Sequence, residues 1–149
     1  MKLSKNFTRA EIEHSNTAKR LGIKNEMSQE HLENMQNLID NLIQPLRDDI
    51  GPIRISSGYR SPQLNKAIGG SAKSQHSKAQ ALDLQYWSKG KMNNKIIYDW
   101  VIESDIEFDQ MINEFDFSWI HISLKKNSNR KQVLEAYKDK DGDTAYRLV

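Results

Sequence analysis

Three side chains in this sequence have the types and spacing to hold a metal ion: His76, Asp83 and His121. The first two lie in Ser74-Gln75-His76-Ser77-Lys78-Ala79-Gln80-Ala81-Leu82-Asp83-Leu84, and the third in Trp119-Ile120-His121-Ile122-Ser123. Two imidazoles and a carboxylate are a common ligand set for catalytic zinc, which keeps a fourth position for water. The chemistry this implies is metal-assisted hydrolysis, with the pKa of water lowered to about 7. A lone histidine on a strand is more often a surface or hydrogen-bonded residue, so spacing alone leaves that reading open.

Strand alternation sharpens the case. In 118–124, Ile120, Ile122 and Leu124 point one way and Trp119, His121 and Ser123 the other. In 81–85, Leu82 and Leu84 oppose Ala81, Asp83 and Gln85. Asp83 and His121 therefore stand on the polar faces of two strands expected to be half-buried. If the strands are neighbours, both project into one cleft, and His76 folds over it from the preceding loop. His14 and His31 fall on helices at the other end of the chain and read as helix-surface or cap residues.

The elements that must position these residues are readable in outline. Thr8 and Glu11 have capping-box spacing and open a helix, or a short pair of helices, running toward Gly22. Ser28 caps a longer helix whose apolar residues, Leu32 through Ile50, recur every three or four positions. Pro45 lies inside that pattern and is expected to kink or break it. A strand follows at 53–56, then a turn at 57–62 and a short helix to Ile68 closed by Gly69-Gly70. Strands are expected at 81–86, 110–114 and 118–124, a helix at 93–103, and a hairpin over 133–149 around Asp141-Gly142. Asp139, Asp141 and Asp143 resemble a calcium loop only faintly; they lack its later glutamate and read better as a charged turn. The expectation is one α+β domain over 1–149, N-terminal helices packed on a small antiparallel sheet.

Composition excludes several classes. The formal charge is +2, from 22 basic and 20 acidic residues, with no basic block or aromatic-basic interleaving of a nucleic-acid binder. There is no cysteine, so any metal is held by nitrogen and oxygen. No apolar run approaches a membrane span, and the N-terminus has no signal-peptide core. The expectation is a cytoplasmic product that is monomeric and reaches any extracytoplasmic target by other means.

The segments Ser57-Gly58-Tyr59-Arg60-Ser61-Pro62, Gly69-Gly70, Ser74-Gln75-His76 through Asp83, and Trp119-Ile120-His121-Ile122-Ser123 resemble the zinc D-alanyl-D-alanine carboxypeptidase family. The likeness covers roughly 7–124 and is to its small single-domain branch of phages and bacteria, whose scaffold the hedgehog signalling domain shares. It implies one zinc held by His76, Asp83 and His121, and cleavage of peptidoglycan stem peptides by carboxypeptidase or endopeptidase action. The chain departs from the family at Ala79, where glycine is usual and would permit positive φ.

The resemblance also implies roles for neighbours. Relatives often carry an acid three residues before the last histidine; here that residue is Ser118. A glutamate on the preceding strand is matched by Glu114, the favoured general base, with Asp116 second and also readable as a turn residue. Arg60 has the planar donor fork for a substrate carboxylate or developing oxyanion, or forms a surface ion pair. Tyr59 and Trp119 read as pocket wall or core, and Ser74 as a substrate contact or a residue orienting His76. Gln75 carries no strong claim. A non-catalytic zinc module on the same scaffold is the alternative function.

Overall fold

The computed structural model describes residues 1–149. Short polar-capped helices come first. Thr8 Oγ1 accepts from the Glu11 amide to open α1 (Arg9–Glu13), and Ser15 caps α2 (Asn16–Leu21). Ser28 caps α3 (Gln29–Leu38), where His31 closes a capping box by accepting from the Ser28 amide. Of the kink or break expected at Pro45, the break does not occur. Helix α3 instead widens into a π-helical turn, Ile39–Ile43, before α4 (Gln44–Ile50). The Gln44 amide reaches back five residues to the Ile39 carbonyl. The wider turn makes room for the proline ring, which would otherwise meet the carbonyl four residues back.

The sheet contains β1 (Arg54–Ser57), β2 (Ala81–Gln85), β5 (Gln110–Glu114), β6 (Trp119–Ser123), β7 (Gln132–Lys138) and β8 (Thr144–Leu148). Their order is β1-β2-β6-β5-β7-β8. It is a mixed sheet, not the antiparallel one expected, because β7 runs parallel to β5. After β6 the chain crosses back to the start of β5 rather than reversing beside it. There the Lys131 and Gln132 amides donate to the Phe108 and Asp109 carbonyls and set the parallel register. The C-terminal hairpin forms as expected; in its turn Asp139 accepts from the amides of Asp141 and Asp143. A two-residue ribbon, β3 (Trp87–Ser88) with β4 (Lys91–Met92), had no separate signal in the sequence.

One cluster of 21 buried apolar residues joins the helices to the sheet. Met35, Leu38, Leu42 and Leu46 of the long helix meet Leu82, Leu84, Ile120 and Ile122 of the central strands, with Ile97 and Val101 of α5 (Lys95–Ser104). This cluster fixes β2 and β6 as neighbours, and so fixes what their other faces carry.

Candidate functional site

Strand pairing sets Asp83 directly opposite His121. His76 enters from a 3₁₀ turn, Gln75–Lys78, which Ser74 opens by accepting from the His76 amide. The Ala79 amide closes it, with Ala79 at φ 57, the left-handed conformation that glycine adopts without cost. Ser74 thus orients His76 through its backbone, and it also lines the cleft.

The three ligand atoms lie within 4.8 Å of one another. His76 Nδ1 donates to the Gly58 carbonyl at 2.8 Å, which turns Nε2 toward Asp83 Oδ1 at 3.2 Å. His121 Nδ1 faces the same Oδ1 at 3.2 Å. Two imidazole lone pairs and a carboxylate oxygen cannot face one another without a cation between them, a proton or a metal ion. All three residues are buried, and their donor set is nitrogen and oxygen. Burial alone would raise the Asp83 carboxyl; the His76 charge and hydrogen bonds from His121 and His76 outweigh it and hold it far below the usual carboxylate range. Gly58 has no substitute, since a Cβ there would collide with the Ile12 carbonyl.

Arg60 is packed rather than splayed on the surface. Its guanidinium donates to Ser57 Oγ at 3.1 Å and Asn65 Oδ1 at 3.2 Å, and Nη2 reaches Asp83 Oδ2 at 3.5 Å. Burial lowers its pKa, and the charges of Asp83 and Glu114 oppose that shift. Gly70 leaves room for the Asn65 amide, which a Cβ would strike.

Glu114 lies one strand beyond His121, on the face that opens into the cleft. Burial, followed by the charge of Asp83, pushes its carboxyl up to about 7 against the pull of His121 and Arg60. Asp116 is exposed in a turn where Phe115, Asp116 and Phe117 all have positive φ (50, 55 and 61). Ser118 Oγ is used inside that turn, donating to the Phe115 carbonyl.

The cleft has a volume of about 800 Å³ and brings together His76, Asp83, His121, Arg60, Glu114 and Trp119. Trp119 is half-buried, with its ring edge-on to Phe115 at 5.6 Å. Tyr59 is not in this cleft. It is buried against His31 at 4.9 Å and faces a smaller hollow on the other side of Arg60.

Several cleft residues were not anticipated. Gln75 bridges His121 and Asp109, and Asp109 is clamped by Arg130. Tyr146 and Leu134 wall the cleft from the C-terminal hairpin. Tyr146 shares a cross-strand row with Glu114, with only Ala136 between them, and its phenol is raised by burial and then by the charges of Glu114 and Asp83. The available signals were Gln75 beside a ligand and an acid, Asp109, at the mouth of a strand.

A family model described as Peptidase M15 matches residues 5–123, and the chain belongs to that family. The resemblance read from the separated motifs is borne out at that level, and membership supports a peptidase function. No curated protein matches the sequence. No helix is long and apolar enough to cross a membrane.

Proposed function

We propose that this chain is a single-domain zinc peptidase that hydrolyses peptide bonds of bacterial peptidoglycan, as a D-Ala-D-Ala carboxypeptidase or stem-peptide endopeptidase. The observation that carries the reading is the convergence of His76 Nε2 and His121 Nδ1 on Asp83, with the raised carboxyl of Glu114 on the adjoining strand. His76, Asp83 and His121 would hold the ion. Zinc, when bound, lowers the pKa of water and polarises the scissile carbonyl. Glu114 takes the proton from the attacking water and delivers it to the leaving amine, a task suited to a carboxyl near neutrality. Arg60, held by Ser57 and Asn65, presents its remaining donors to a substrate carboxylate or to the developing oxyanion. Ser74 and Trp119 line the substrate path. Tyr59 supports Arg60 from behind rather than touching substrate. Asp116 does not take part. The enzyme acts as a monomer, on the wall after release or export by other means.

The test is mass spectrometry of peptidoglycan incubated with the protein, with and without chelator. New fragments that vanish with chelator and return with zinc are expected. Loss of one alanine marks a carboxypeptidase; split or released stem peptides mark an endopeptidase. Folded, zinc-loaded protein that releases nothing from several wall chemotypes overturns the reading in favour of a non-catalytic zinc module.

A further inference from the structure

We infer that Gln75 and Asp109 are positioning residues that fix which nitrogen of His121 is free to bind the metal. The inference rests on the zinc reading above and adds what orients one of its ligands. Asp109 is completely buried and, as a carboxylate, can only accept. Its Oδ1 receives the Arg130 amide at 3.1 Å and Arg130 Nε at 3.0 Å; its Oδ2 receives Arg130 Nη2 at 2.8 Å. Lys125 Nζ stands 3.7 Å from Oδ1. Oδ2 also receives Gln75 Nε2 at 2.8 Å.

That last contact decides the orientation of the amide. Only the NH₂ end of Gln75 can face the carboxylate, so its carbonyl oxygen must face His121, where Oε1 lies 3.1 Å from Nε2. An acceptor there requires a proton on Nε2. When a metal ion is bound, Nδ1 is therefore left to supply the lone pair; it is Nδ1 that faces Asp83 Oδ1, which without a metal accepts a hydrogen bond from it. For His76 the Gly58 carbonyl does the same work from the opposite ring nitrogen. The two ligands therefore bind through different nitrogens, each fixed by a neutral acceptor. The anion stands one residue further out, where Arg130 and Lys125 balance its charge. Both cations lie beyond the family-matched segment, which ends at residue 123, so the C-terminal part of the chain acts on the site through Asp109.

The experiment compares the full-length protein with Gln75→Leu and Asp109→Asn. Zinc affinity is measured by competition with a chromophoric chelator. The ring proton of His121 is located by long-range ¹H–¹⁵N spectra of zinc-loaded protein, where the metal occupies the nitrogen that otherwise faces Asp83, and thermal melting checks folding. Gln75→Leu is expected to bind zinc about 10–100-fold more weakly while its metal-free melting stays close to the parent's. In Asp109→Asn the new amide lets Gln75 turn over and offer its NH₂ group to Nε2, so zinc affinity should fall there as well. Zinc affinity within twofold of the parent in Gln75→Leu overturns the inference, as does a zinc-loaded parent whose His121 carries its proton on Nδ1. A parent protein that binds no zinc refutes the zinc reading, whereas a parent that binds zinc beside an equally tight Gln75→Leu refutes the role of Gln75 alone.

Discussion

Strands β2 and β6 present two faces that are both largely buried and chemically opposite. On one, Leu82, Leu84, Ile120 and Ile122 are wholly enclosed by helix side chains. On the other, Asp83 and His121 lie under the cleft with exposures of 7% and 8%. Apolar burial is favourable wherever the shapes fit. Polar burial requires a partner for every donor, acceptor and charge. The first face should therefore fail by leaving cavities, and the second by losing partners. Mutations can separate the two.

The largest expected effect is on the polar face. Glu114→Gln should lower kcat about 10²–10⁴-fold while zinc affinity stays within a few-fold, measured by peptide hydrolysis and chelator competition. An active Glu114→Gln enzyme would shift the proton-transfer role elsewhere in the cleft. On the apolar face Leu84→Ala should cost about 2–5 kcal/mol in urea unfolding, yet leave the zinc affinity of the folded protein unchanged. Coupled loss of both would show that the two faces are not independent.

A smaller effect concerns pH. The Glu114 carboxyl is raised from 4.5 to about 7 in the fold, so the native state binds the extra proton between those values. The contribution of Glu114 to the stability of the metal-free protein should therefore be fully present below about pH 4.5 and be lost as pH rises through about 7. Screening in the open cleft trims the loss to roughly 1–2 kcal/mol. Glu114→Gln should abolish that slope in urea titrations at several pH values. The smallest effect is at Asp116, which is exposed and does not line the cleft. Asp116→Asn should change stability by less than about 0.5 kcal/mol and activity by less than about twofold.

Those parts of the fold that depend on local rules were legible in the sequence. Caps at Thr8 and Ser28 and the alternation through Asp83 and His121 each involve neighbours a few residues apart. Other parts depend on remote partners. No residue in 132–138 announces that this strand runs parallel to β5; register comes from Asp109 and Phe108 carbonyls more than twenty positions away. Three left-handed residues in a row, two of them phenylalanines, run against local preference, and the Asn113 side chain holds them by accepting from the Phe117 amide at 2.6 Å. The role of Gln75 was hidden for a similar reason, since it becomes specific only once Asp109 and Arg130 are folded around it. The resemblance singled out the position of Ala79 as one where glycine was expected, and this chain holds alanine there in a left-handed conformation.

The pairing of Asp83 with His121 closes a loop of 38 residues, and Arg60 stands 23 residues from Asp83. Contacts of such separation form late, because the entropy of closing the loop must be met before they contribute. A ligand that needs both strands in register has little to hold in the folding transition state. Zinc should accordingly slow unfolding many-fold and leave the refolding rate almost untouched, a one-armed change in the chevron plot. The metal would then act as a latch on the finished protein, lengthening its lifetime without guiding its assembly.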